Sequence, residues 1–140
     1  ALVRFFSPRD NRFVHPALGR PKILFACKAG PPAPSLRPQH SLAPLASLIG
    51  VELNCDYYEG QEQELVRHAI AAQDTVLIAW KHNSMHVIAN AILGNKTSAP
   101  QYWPLARFDL VWVFDRQAGT WTFTQVPQLL LAGDRPDVIA

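Results

Sequence analysis

Apolar residues along this chain fall into short continuous runs that alternate with stretches of helical spacing. Lys22-Ile-Leu-Phe-Ala26 is a run of the kind a buried parallel strand requires. Gly30-Pro-Pro-Ala-Pro34 then breaks regular structure. From Ser35 to Gly50, Leu42, Leu45, Ala46, Leu48 and Ile49 approach helical spacing, with Gly50 as the stop and Pro44 expected in the first turn. Val51–Leu53 predicts a brief extended piece, Tyr57–Gly60 a loop, and Gln61–Ala72 a helix whose apolar face is Leu65, Val66, Ala69 and Ile70. Thr75-Val-Leu-Ile-Ala-Trp80 is the strongest strand signal, and it runs through Lys81-His82-Asn83-Ser84 into a helix, Met85 to Leu93, closed by Gly94. Phe108–Asp115 and Thr120–Val126 flank Arg116-Gln-Ala-Gly119, which predicts a hairpin. This order implies an α/β fold: a three-layer sandwich with a mostly parallel sheet and a C-terminal β-hairpin.

With 140 residues and 15.6 kDa, the chain is expected to form a single domain spanning residues 1–140. An apolar share of 49% and a charged share of 17% exclude disorder of the whole chain. Thirteen basic against eleven acidic residues leave +2, too small and scattered for an electrostatic nucleic-acid footprint, so no nucleic-acid partner is expected. Arg4, Arg9, Arg12 and Arg20 among Phe5, Phe6 and Phe13 read as an irregular segment or the end of a helix that packs its aromatics, with RNA contact as the alternative. No apolar stretch approaches the roughly 20 residues of a membrane span. Cys27 and Cys55 show no CxxC spacing and read as buried or free thiols, which makes the cytoplasm the expected compartment. The start, Ala1-Leu-Val-Arg-Phe-Phe6, has no initiator Met and resembles neither a signal nor a transit peptide, so a processed start or a piece of something longer is expected.

Candidate chemistry gathers where strands run into helices. His82 stands between a strand end and a helix start that Asn83 or Ser84 can cap, a position suited to an anion, where an imidazole donates a proton or stabilises an oxyanion. The alternative is a polar histidine that closes a loop. Arg37 opens the helix after the first strand, and its fork can bind two phosphate oxygens; a solvated surface arginine is the alternative. The two converge if strands 22–26 and 75–80 are neighbours. His82 and His86 stand one helical turn apart but lack a third ligand, so no metal or other cofactor is expected. Cys27 is not in a Cys-x5-Arg loop with Arg37. Arg67-His68-Ala69 looks like a phosphohistidine motif, but it falls inside an amphipathic pattern, which places His68 on a helix surface. Trp103 and Trp112 suit core or interface packing, with a pocket lining as the other use.

Ser35-Leu-Arg37-Pro-Gln-His-Ser41, Tyr58-Glu59-Gly60 and Thr75-Val-Leu-Ile-Ala-Trp-Lys-His82-Asn83, followed by a helix ending Ile92-Leu-Gly94, together resemble the histidine phosphatase (phosphoglycerate-mutase-like) superfamily. The resemblance runs from about Lys22 to Gly94. It implies that Arg37, with Ser41, grips a phosphoryl group, that His82 is the second histidine of the pocket, and that Asn83 contributes to binding. Glu59 matches either the acid that protonates the leaving group or a solvated loop carboxylate. It further implies phosphoryl transfer through a phosphohistidine on a phosphorylated small molecule or phosphoprotein. The family's nucleophile lies in an Arg-His-Gly motif after its first strand, upstream of the Arg37 position, and no such motif stands between Ala1 and Leu36. An N-terminally incomplete domain, or a diverged non-catalytic one, is therefore expected, inactive as a hydrolase in this form; the alternative is a phospho-ligand-binding or protein-interaction module that uses the same crevice without turnover.

Overall fold

Side chains alternate across a strand, so three short strands suffice to sort the core onto two faces. The computed structural model describes residues 2–16, 18–30, 35–104 and 107–140. Its elements in chain order are α1 (Leu2–Phe6), β1 (Ile23–Ala26), α2 (Arg37–Ile49), β2 (Leu53–Asn54), α3 (Glu62–Ala71), β3 (Val76–Ala79), a 3-10 turn (His82–Ser84), α4 (Met85–Leu93), β4 (Leu110–Gln117) and β5 (Thr120–Pro127). Strands β2, β1 and β3 form a parallel sheet with β1 in the centre, in register Ile23 to Val76 and Leu24 to Leu53. Strands β4 and β5 make a separate antiparallel hairpin.

Leu24, Leu53, Leu77 and Ala79 pack with Phe5, Phe6, Leu42 and Leu45 of α1 and α2, while Ile23, Phe25, Val76 and Ile78 pack with Leu65, Val66 and Ile88 of α3 and α4. Each fully buried Leu or Phe stabilises by about 1.5–3 kcal/mol. The first cluster uses Phe5 and Phe6, so two of the N-terminal aromatics are interior rather than displayed. Among the described residues no helix is long and apolar enough to cross a membrane.

Three sequence expectations are corrected. Pro38, not Pro44, lies in the first turn of α2. Pro44 sits mid-helix and forgoes the bond to the carbonyl of His40. Leu48 is exposed, because the buried stripe runs through Leu42, Leu45, Ala46 and Ile49 and leaves it outside. The hairpin strands continue through Arg116 and Gln117, and the turn is only Ala118-Gly119, both at positive φ (51° and 80°), as a two-residue hairpin turn demands.

The hairpin is fastened to the chain's last segment. Arg107 Nε donates to Asp109 Oδ1 at 2.7 Å, Asp109 Oδ2 accepts the Arg135 backbone N–H at 2.6 Å, and Arg107 Nη2 reaches the Asp137 carbonyl at 2.8 Å. The side chain of Gln125 accepts the Ile139 N–H (3.1 Å) and donates to the Ile139 carbonyl (2.8 Å), and the same Gln125 oxygen takes the Trp112 indole N–H (3.1 Å). Ile139 is thereby buried against Trp103 and Leu110.

Candidate functional site

The pairing of β1 extends past its last residue on both sides: the Cys27 N–H donates to the Ala79 carbonyl of β3, and the Lys28 N–H to the carbonyl of Tyr57, which follows β2. This backbone continuity draws the Tyr58-Glu59-Gly60 loop and the Lys81-His82-Asn83-Ser84 connection to the same carboxyl edge of the sheet. Cys27, buried there, senses both: burial pushes its thiol above the ordinary 9.0, the Glu59 backbone N–H opposes this, and the Glu59 and Glu62 carboxylates add to it. A thiol held neutral in this way is a poor nucleophile.

Glu62, only 4% exposed, fixes the loop. Its Oε2 accepts the Gly60 N–H at 2.8 Å and the Trp80 indole N–H at 3.0 Å. The Tyr58 N–H donates to Gln61 Oε1 at 2.8 Å, and the Lys28 ammonium lies 5.0 Å from the Tyr58 ring centre. Glu59 is therefore held between bonded neighbours, and its carboxylate accepts the hydroxyl of Ser84. Of the two candidates for the cap, Asn83 and Ser84, that bond removes Ser84: it occupies the N-cap position of α4, but its side chain is turned to Glu59 and makes no capping hydrogen bond. Glu59 is tied to the residue two positions after His82 and is half-buried, not a freely solvated loop carboxylate.

His82 and Asn83 open the 3-10 turn, and together with His86, Gln101, Tyr102 and Trp103 they line a pocket of about 210 Å³. Its far wall is held in place by two hydrogen bonds between Asn90 of α4 and Gln101 (2.8 and 2.9 Å). Trp103 is fixed by its indole N–H on the Arg107 carbonyl (2.8 Å) and by the Trp112 ring at 4.8 Å. Trp103 thus serves both uses weighed for it, core packing and pocket lining, whereas Trp112 packs behind it.

Arg37 is exposed, and its guanidinium stacks on Phe108 at 5.5 Å; it does not line the His82 pocket among the described residues. Arg37 meets the segment around Phe108, and His82 shares its pocket with Trp103, which bonds to the neighbouring Arg107. Ser41 donates to the carbonyl of Arg37 (2.9 Å), so its hydroxyl serves the helix backbone. His68 is on the surface of α3, as expected, with Nδ1 against the Tyr57 hydroxyl (2.9 Å) and its ring edge on Phe25. Among the described residues no group of three metal-binding side chains occurs.

The sequence did not single out Glu62, Gln101 or Tyr102. A carboxylate at the start of an amphipathic helix reads as solvated, and only the Trp80 indole across the sheet shows otherwise. No protein-family model, curated protein or solved structure matches this chain.

Proposed function

We propose that this chain is a histidine-phosphatase-like domain, a three-layer α/β sandwich of the cytoplasm. Arg37 and His82 anchor a phosphoryl group at the carboxyl edge of β1 and β3, and the 140 residues bind a phosphorylated ligand without hydrolysing it. The observation that carries this reading is the parallel pairing of β1 with both β2 and β3, which sends the connections bearing Arg37, Glu59 and His82 off one edge of the sheet. Ligands of open α/β sheets bind at such edges.

In this reading Arg37 leaves its place on Phe108 and grips two phosphate oxygens with its fork. His82 donates to a third oxygen, and the Asn83 amide adds a neutral donor. Glu59, positioned through Ser84, is the acid that would face a leaving group. The family resemblance requires a nucleophilic histidine after a strand, and within these 140 residues the Arg67-His68-Ala69 tripeptide lies on a helix, engaged with Tyr57. Binding without turnover follows.

Titration calorimetry with inorganic phosphate and vanadate tests the proposal. Binding that is lost in Arg37→Ala and in His82→Ala, with no release of product from an aryl phosphate, is the expected result. Turnover by the pure chain that disappears in His82→Ala overturns the non-catalytic part, and absence of any phosphate binding overturns the whole.

A further inference from the structure

Part of the lining of the His82 pocket is aromatic, Tyr102 and Trp103, and nothing in the anchoring of a phosphoryl group requires it to be. Trp103 is locked by its indole hydrogen bond and by Trp112 and is only 6% exposed, so the small part of it that reaches the pocket is rigid. Tyr102, beside it, is 70% exposed. A large aromatic side chain left so exposed next to a fixed indole has an unused ring face. His82 and Asn83 supply the polar end of the same pocket, and His86, one helical turn on, supplies a second imidazole.

From this we infer that the ligand is a phosphate monoester whose esterified group is a single aromatic ring, seated against Tyr102 and Trp103 with the phosphate turned to His82. The inference rests on the phosphate reading above and names the ligand class of the same site. Size agrees: an apolar cavity of about 150 Å³ accommodates benzene, and this pocket has about 210 Å³, room for one substituted ring. The segment carrying Tyr102 is clamped to α4 through Gln101 and Asn90, so the wall is formed before the ligand arrives and little ordering cost is added on binding.

The test compares methyl phosphate with phenyl phosphate by calorimetry on the full chain. Phenyl phosphate is expected to bind about 5- to 10-fold more tightly, the worth of one partly buried aromatic contact. That ratio is expected to fall to about 1 in Tyr102→Ala and to return in Tyr102→Phe, which keeps the ring and drops the hydroxyl. Equal affinities in the unaltered chain overturn the aromatic inference while Arg37-dependent binding of methyl phosphate leaves the phosphate reading standing. A ratio that survives Tyr102→Ala also overturns it, because the ring then binds elsewhere. If neither ester nor inorganic phosphate binds, the phosphate reading itself fails and this inference falls with it.

Discussion

Replacing Asp109 by Ala isolates one term in the stability of the hairpin and the segment it holds. Arg107 and Asp109 expose 6% and 9% of their side chains and are bonded at 2.7 Å. Removal of the carboxylate takes from Arg107 its closest counter-charge and from the Arg135 N–H its acceptor. What remains to the guanidinium is the Asp137 carbonyl and, at 3.6 Å, the half-exposed Asp137 carboxylate. Breaking a buried pair on one side costs about 3–5 kcal/mol, and the lower end applies because Asp137 stays in reach. For a chain of this size a loss of about 3 kcal/mol lowers the Tm by roughly 10 °C. Urea unfolding followed by tryptophan emission gives the free energy directly. Asp137→Ala, at the exposed end of the cluster, is expected to shift the midpoint far less. The double variant Arg107→Met with Asp109→Leu is expected to recover most of the loss, since it leaves no unpaired charge. The pair also has a pH signature. Burial raises the Asp109 carboxyl, but the Arg135 backbone N–H and the hydrogen bond and charge of Arg107 outweigh it, so the group lies below its ordinary 3.8. A depressed carboxyl contributes stability that is present above the unfolded value and is lost as pH falls through the native one. Stability is therefore expected to drop on acidification below about pH 4 in the unaltered chain, with this part of the drop absent in Asp109→Asn. A loss below about 1 kcal/mol in Asp109→Ala would refute the reasoning that the guanidinium is buried and uncompensated.

Three further expectations concern the sheet edge and the hairpin. Glu62→Gln keeps the shape of a buried carboxylate that accepts two N–H groups but weakens both bonds, and a loss of about 1–2 kcal/mol in urea unfolding is expected. Ala118→Gly relieves a non-glycine residue held at φ 51° and is expected to raise stability by about 0.5 kcal/mol, measured the same way. Burial lifts both thiols above 9.0, yet Cys27 is 1% exposed and Cys55 is half-buried, so iodoacetamide at pH 8 is expected to label Cys55 well before Cys27, as read by mass spectrometry.

The elements most legible in the sequence are those whose signals are local. Met85–Leu93 forms α4 with Gly94 in the left-handed cap, as its spacing and terminal glycine require, and β3 lies within the Thr75–Trp80 run. Leu65, Val66, Ala69 and Ile70 face the core as their period dictates. Position within an element was harder to read. Pro44 is tolerated mid-helix because it is on the exposed side of α2, a fact of packing that no local rule supplies. Ala118 takes a conformation usually left to Gly or Asn because the twist of the two strands imposes it. The candidate site divides in the same way. His82 and Asn83 were legible as the exit of a strand, whereas Tyr102 and Gln101 enter the pocket only through the Asn90 bonds, across a separation that sequence spacing does not encode. The partner of Ser84 is likewise non-local: a hydroxyl that is one of two candidates, with Asn83, to cap α4 serves Glu59.

The clasp of Gln125 around Ile139 sets the order in which parts of this molecule can open. Backbone outside helices and strands, as around Ile139, ordinarily opens first and exchanges its amide hydrogens fast. Here the Ile139 amide is tied to a side chain of β5, and the same Gln125 oxygen carries the indole of Trp112, on which Trp103 rests. Opening of the segment around Ile139 takes that side chain off Trp103 and removes two of the hydrogen bonds that hold the Gln125 side chain. Protection of the Ile139 amide against deuterium then becomes a remote gauge of the pocket: a ligand that seats on Trp103 slows exchange at Ile139 without touching it.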